Sequence, residues 1–292
     1  MSNTMCISFS RRKCRKPEPY EVHIKASLIA WSVLKPFYYG AINRILGKLP
    51  FDPVAIALTL HDLGKLTKSY ETNRREYRHE LFSAYATYEI LENMSKNGVP
   101  IPNDAMRLIS LAVMLHHEPI IMGMYVGRYG EEYLTISNLR RVIELNVGNL
   151  SPNCNVEGTM NNLVDYLVTE DFISKDLGNS FRTAVNDFIK KWRSSLNSYE
   201  EIFETLKRAI AYSTVGAPNK LLTIRAKAAA LLHLVVISDS VAANVIRSEL
   251  GCGDEDDKGT WIVERIHGGA ESVSYEKIEK EIEKRVLLNI GD

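Results

Sequence analysis

The sequence lacks the signatures of several large functional classes. It has no GxxxxGK[ST] loop, since "GKLP" and "GKLT" lack the preceding glycine and the hydroxyl, so a Walker-type nucleotide site and a helicase activity are excluded. RRM, zinc-finger and OB signatures are also missing. The 292 residues include 36 basic and 36 acidic side chains. Any anion binding must therefore come from a local patch or a metal.

Cysteine and long apolar runs are also scarce. The four cysteines, Cys6, Cys14, Cys154 and Cys252, form no CxxC pair. We predict free thiols in a reducing cytosol rather than a disulfide frame or a zinc site. The N-terminus "MSNTMCISFSRRKCRK" has no signal-peptide apolar region. The longest apolar stretch, "AAALLHLVVIS", is too short to span a bilayer. These features predict a cytoplasmic protein without a membrane partner.

Hydrophobic periodicity predicts an all-α fold, because apolar residues recur at helical spacing and strand-like alternation is rare. Pro36 predicts a break or kink in the first helix, and Asp52–Pro53 predicts the start of another. Further helices are predicted over 159–170, 178–195 and 199–213, in a long apolar segment ending near 250, and in the charged tail. We expect one domain over 1–292, with a flexible N-terminus over 1–19.

The histidines carry the functional signal. Five of the seven lie in helical segments near helix ends, and His61 is followed directly by Asp62 after the apolar run "VAIALTL". Imidazoles with carboxylates are ligands for borderline transition metals. The set is too large for one tetrahedral ion and suits two octahedral ions that share a bridging carboxylate. A single helical histidine is more often an ordinary core or surface residue, and we interpret His233 and His267 in that way.

Four motifs in order, "HDLGK", "RHELFS", "LAVMLHHE" and "ISDSVAAN", give the chain a family resemblance. It resembles the HD superfamily of metal-dependent phosphohydrolases, and within it the HD nuclease of CRISPR type I interference. The resemblance implies an HD-domain helical bundle, with residues 120–230 as a long insertion of loops and extra helices that carries no matching motif. Because the helicase loop is missing, the chain resembles the stand-alone nuclease subunit, whose partner is a separate helicase in the interference complex.

The resemblance also implies a ligand set. One metal would be held by His23, His61, Asp62 and Asp239, and the other by Asp62, His79, His116 and His117. His116 and His117 can bind one ion only if the helix end loosens, since adjacent helical residues diverge by about 100°, and Pro119 favours that. The two divalent ions would be Mn, Co, Ni, Fe, Zn or Mg.

Two further side chains lie near these motifs. Lys65 could pair with a non-bridging phosphate oxygen and so take part in catalysis. The alternative is a surface lysine that interacts favourably with a helix C-terminus. Ser83, one turn after His79, is predicted to face the site.

Basic clusters could guide a phosphate backbone to the metals. They are "RRKCRK", which is alternatively a solvated tail, and Arg74, Arg75 and Arg78. The leading hypothesis is a nuclease that hydrolyses single-stranded DNA, or alternatively RNA, with a hydroxide activated by two metals. The other hypotheses are an HD phosphohydrolase acting on a nucleotide and a non-catalytic scaffold subunit.

Overall fold

The computed structural model describes residues 4–9, 15–72, 77–117, 140, 143–144, 149–194, 199–251 and 275–286. Helices dominate these residues, so the all-α prediction is confirmed. The elements are β1 (Ile7–Phe9), β2 (Glu18–Pro19), α1 (Tyr20–Leu46), α2 (Pro53–Leu60), a 3₁₀ turn (Leu63–Leu66), α3 (Lys68–Thr72), α4 (His79–Lys96), α5 (Asn103–Leu115), α6 (Val156–Thr169), α7 (Lys175–Ser194), α8 (Tyr199–Thr214), α9 (Pro218–Glu249) and α10 (Tyr275–Arg285).

The short helix α2 lies at the centre of the bundle. It contacts α1, α4, α5 and α9, and all eight of its residues are buried. Its start is the one that the sequence predicts, because the Asp52 carboxylate accepts hydrogen bonds from the amides of Val54 and Ala55 at 3.0 and 3.1 Å. An entirely apolar, capped helix in the core delivers the residues that follow it, His61 and Asp62, to the protein interior.

The long helices α1 and α9 pack along each other beside α2, and α4 packs on α5. Pro36 lies inside α1, which continues through it to Leu46 without the predicted break. Helix α9, with 32 residues, is long and apolar enough to cross a membrane by length and composition. The apolar stretch "AAALLHLVVIS", which was predicted to be too short for that, is only part of it. However, 61% of its apolar window is buried inside the protein, as is usual for the core helix of a soluble protein.

Helices make up most of the described part of the predicted insertion. Helices α6, α7 and α8 occur at the predicted positions; α6 packs on α1, α7 on α4, and α8 on α4 and α5. Ahead of α6, the segment 149–155 runs beside the residues that follow the 3₁₀ turn. The amides of Lys68 and Ser69 donate to the carbonyls of Ser151 and Asn149, each at 2.9 Å. Most of the first part of the predicted insertion, residues 120–139, 141–142 and 145–148, lies outside the described residues.

The N-terminal segment contains two short strands and a disulfide. Strands β1 and β2 pair in antiparallel fashion, with Ile7 opposite Pro19. Cys6 forms a disulfide with Cys154, so the prediction of free thiols is wrong for both. Their separation of 148 residues gave no sign of proximity, whereas the fold brings their Cα atoms to 5.2 Å. Cys14 and Cys252 lie outside the described residues.

We expect reduction of the Cys6–Cys154 disulfide to lower the free energy of unfolding by about 2–5 kcal/mol, because the bond constrains a long loop of the unfolded chain. Urea unfolding with and without a thiol reductant measures this difference. Cys6→Ser is the control, since its stability should equal that of the reduced wild type and should not respond to reductant. Equal stability of oxidised and reduced wild type would contradict the expectation.

Candidate metal centre

Helix α2 ends at Leu60, and the two residues after it turn into the interior. His61 keeps a helical backbone and Asp62 leaves it, with φ −105° and ψ 7°. His61 Nδ1 lies 2.7 Å from the Leu58 carbonyl oxygen. Because a carbonyl can only accept, Nδ1 carries the hydrogen and Nε2 is left as the free electron-pair donor. The end of α2 therefore presents an oriented imidazole next to a carboxylate.

The Asp62 carboxylate is fully buried, and its two oxygens face two different groups. Oδ2 lies 3.3 Å from His23 Nε2 and 3.6 Å from His61 Nε2. Oδ1 faces the other group, at 3.2 Å from His79 Nε2, 3.6 Å from His116 Nε2 and 3.8 Å from His117 Nε2. One carboxylate thus borders two sets of imidazoles.

Asp239 completes the first group from helix α9. Its Oδ1 lies 2.9 Å from His23 Nε2 and 3.3 Å from His61 Nε2. One donor atom each from His23, His61, Asp62 and Asp239 lies within 4.8 Å of the others. Burial would raise the pKa of Asp239, but the electrostatic contact with His61 and the contact with His23 outweigh it and hold the pKa well below its usual range. The carboxylate is therefore ionised.

The second group combines the start of α4 with the end of α5. One donor atom each from Asp62, His79, His116 and His117 also lies within 4.8 Å of the others. Helix α5 ends at Leu115, so His116 and His117 follow it in a turn, and their ring centroids are 4.1 Å apart. The adjacent imidazoles can converge because the regular helix ends before them. The Pro119 part of that argument lies outside the described residues.

The hydrogen bonding of these imidazoles fits a metal centre. His116 Nδ1 bonds to the Val113 carbonyl at 2.6 Å, as His61 does to Leu58. The buried Nε2 atoms of His23, His61 and His116 have no hydrogen-bond partner of good geometry. Burial lowers the pKa of His79 to about 4 and that of His117 to about 3, so both are neutral near pH 7. In the protein alone, burial would lower the pKa of His23 and of His116, but the nearby carboxylates Glu18 and Asp239 raise the pKa of His23, and Asp62 raises that of His116. Converging imidazole nitrogens beside carboxylates suit a divalent transition metal, which binds in place of these protons.

Lys65 lies inside this cluster and not on the surface. Its side chain is 5% exposed, and Nζ lies 2.5 Å from Asp62 Oδ2. The surface alternative considered for Lys65 is therefore wrong. Burial would raise the pKa of Asp62, but the charge of Lys65 outweighs it and keeps the pKa well below its usual range. Lys65 thus helps to keep Asp62 ionised.

A close backbone contact joins the "HDLGK" and "RHELFS" motifs, and the sequence gave no sign of it. A Cβ atom on Gly64 would lie 2.2 Å from the His79 carbonyl oxygen, so no side chain fits there. The Gly64 amide donates to Ser83 Oγ at 2.9 Å, and Ser83 Oγ donates to the His79 carbonyl at 3.0 Å. Ser83, predicted to face the site, instead fastens the turn after Asp62 to the start of α4.

Sequence reasoning also missed Glu18, a fully buried carboxylate whose Oε1 lies 2.8 Å from His23 Nδ1. A glutamate five residues before a candidate ligand was the only sign of it in the sequence.

Of the basic side chains predicted to guide a nucleic acid, Arg15 and Lys16 are exposed, and Arg78 lies directly before His79. The others, Arg11, Arg12, Lys13, Arg74 and Arg75, lie outside the described residues, as does His267.

Comparison with known proteins gives the family. The chain is 30% identical over 239 residues to the CRISPR-associated endonuclease Cas3-HD of Thermoproteus tenax, and the match covers 82% of this chain and 89% of that protein. The chain belongs to the Cas3-HD family. It is therefore a metal-dependent HD nuclease associated with CRISPR, which favours this hypothesis over the nucleotide phosphohydrolase and the scaffold.

Two more Cas3-HD endonucleases match over a shorter region. Those of Pyrococcus furiosus and Methanocaldococcus jannaschii are 35% and 39% identical over 116 residues, which is 35% of this chain and 46% of each relative. No protein-family profile and no solved structure matches the chain significantly. The Cas3-HD family and the buried His/Asp cluster together indicate divalent metal binding.

Gly64→Ala is expected to lower the free energy of unfolding by about 1–3 kcal/mol, because the new methyl group overlaps the His79 backbone. Chemical denaturation measures the change. Gly40→Ala is the matched control: its Cβ would meet only the flexible end of Arg44 at 3.7 Å, within α1. There the substitution should stabilise by up to about 1 kcal/mol. A Gly64→Ala protein as stable as wild type would contradict the steric argument.

Proposed function

We propose that this chain cleaves phosphodiester bonds inside single-stranded DNA with two divalent metal ions that share Asp62. His23, His61, Asp62 and Asp239 would hold one ion. Asp62, His79, His116 and His117 would hold the other. The nuclease class comes from the Cas3-HD family; the number of ions, the ligand roles and the substrate are the proposal.

The observation that supports the two-metal proposal is that the two carboxylate oxygens of Asp62 face different sets of imidazoles. Its Oδ2 borders His23 and His61 and its Oδ1 borders His79, His116 and His117, each at 3.2–3.8 Å. A carboxylate that serves one ion has no need for imidazoles on both oxygens. Each set also offers four donor atoms, which leaves positions open for water and substrate on an octahedral ion.

When bound, two such ions would supply Lewis acidity and lower the pKa of water for attack on a phosphodiester. The residues of the chain orient these groups: His23, His61 and His116 are fixed through Nδ1, and the two aspartates supply negative charge. We propose that Lys65, already in the cluster beside Asp62, also contacts a non-bridging phosphate oxygen. Such a charge-assisted contact is favourable in a site this deeply buried.

The proposed substrate and partner follow from what the chain lacks. It has no Walker loop to power unwinding, so a separate helicase subunit of the CRISPR interference complex would supply the single strand. The exposed Arg15 and Lys16, and Arg78 before His79, can contact phosphates. We propose a cytoplasmic location. The Cys6–Cys154 disulfide is unusual for a reducing cytosol, although intracellular disulfides are common in hyperthermophiles.

Removal of metal should abolish cleavage. After exhaustive dialysis against a chelator, we expect no cleavage of a labelled, circular single-stranded DNA, and recovery on addition of Mn²⁺ or another divalent metal, since imidazole and carboxylate ligands suit such ions. Elemental analysis of the reloaded protein should give two ions per chain. The matched duplex is the control substrate and should stay intact. Full activity in the chelated protein, or equal cleavage of the duplex, would contradict the proposal.

Asp62→Ala should reduce the cleavage rate by more than about 100-fold, because both ions lose their shared ligand. His79→Ala should leave one ion bound and reduce the rate less. DNA binding should survive both changes, since basic side chains carry most of the affinity. Cleavage, metal content and binding of labelled strands are measured in parallel.

His233→Ala is the control for these variants, because His233 is exposed on α9, the helix that carries Asp239. It should cleave as wild type does. If Asp62→Ala retained both ions and wild-type activity, the shared-carboxylate proposal would be wrong.

A further inference from the structure

His23 is oriented differently from the other deeply buried imidazoles of the centre. His61 and His116 bond through Nδ1 to main-chain carbonyls of their own helices, Leu58 and Val113. His23 Nδ1 instead lies 2.8 Å from the carboxylate of Glu18, which precedes helix α1. The ring therefore stands between two carboxylates, with Glu18 on Nδ1 and Asp239 at 2.9 Å from Nε2.

Glu18 is itself held on its other oxygen. Arg247 Nε lies 3.2 Å from Glu18 Oε2, and Arg247 sits two turns after Asp239 on α9. The Glu18 side chain has no exposed surface. A carboxylate buried to that extent needs a charged or hydrogen-bonded partner on each oxygen, and His23 and Arg247 supply one each.

We propose that Glu18, held by Arg247, is a positioning residue that fixes the tautomer and orientation of His23 for metal binding. A carboxylate on Nδ1 keeps the hydrogen there, which leaves the Nε2 lone pair for the ion and makes the imidazole a stronger donor than a main-chain carbonyl does. The inference rests on the proposed metal centre.

The consequence is a difference between the two metal positions. The position beside His23 has two carboxylates in direct reach, Asp62 and Asp239, and a third behind His23. Among the described residues, the position beside His79, His116 and His117 has Asp62 as the only carboxylate of its donor group. Glu80 lies behind His79, but its Oε2 is 3.6 Å from Nδ1, farther than the 2.8 Å between Glu18 and His23. More negative charge around one ion strengthens its binding, so Glu18 should act mainly on the His23 position.

The test compares Glu18→Gln with Glu21→Gln by calorimetric titration of chelated protein with Co²⁺. Glu21 is the matched control, because it lies on the first turn of α1 and pairs with Lys25 at the surface, 29% exposed. We expect Glu18→Gln to weaken one of two Co²⁺ sites by about 10–100-fold and leave the other unchanged. The visible absorption of the weakened Co²⁺ should change as well. Glu21→Gln should match wild type in both readouts.

The melting temperature of the chelated proteins distinguishes a positioning role of Glu18 from a purely structural one. For Glu18→Gln we expect little change in it, whereas a purely structural role would lower it without affecting one Co²⁺ site selectively. If Glu18→Gln does not fold, Arg247→Met decides the question, since Glu18 stays in place and the same site should weaken. Two unaltered sites in the folded variant would overturn the inference alone. A wild type that binds fewer than two ions would overturn the proposed function instead.

Discussion

The structure depends on an ionised carboxylate held inside the bundle. Asp62 is fully buried, and an isolated charge there would cost several kcal/mol. The fold offsets this cost with groups from separate parts of the chain: Lys65 from the 3₁₀ turn, Ser8 from β1 at 3.4 Å, and imidazoles from α1, α4 and the end of α5. The positions of these elements are thus linked to one side chain, and a shift in any of them exposes or unbalances the same charge.

The predicted ligands could be found because each lies in a short motif; most of these motifs are at helix ends, whereas Asp239 lies inside α9. Residues such as His61 and Asp62 follow an apolar run. A polar pair in that place is costly to bury unless it binds a partner, so it indicates either a binding site or an exposed surface. The ends of α2, α4 and α5 could be read for the same reason, from caps and periodicity. Their convergence on Asp62 is a property of tertiary packing, which the motif order implied only through the family resemblance.

Three features could not be predicted, each for a physical reason. The Cys6–Cys154 pairing depends on spatial distance, and spacing along the chain does not reveal it. Gly64 resembles an ordinary helix terminator, whereas its role is to let the backbone of His79 approach closely. Glu18 belongs to no motif, because a residue that acts through another needs only proximity to it. Pairs defined by contact alone leave little trace in a single sequence.

The spread of the centre along the chain has a consequence for its synthesis. Helix α1 carries His23 and helix α9 carries Asp239, with the other candidate ligands between them. A nascent chain on the ribosome has no complete donor set until α9 has emerged and packed beside α1. A proteolytic fragment that loses either helix likewise lacks part of the set. The candidate metal centre is therefore complete only late in synthesis, and a fragment cut between these helices cannot carry all of its donor atoms.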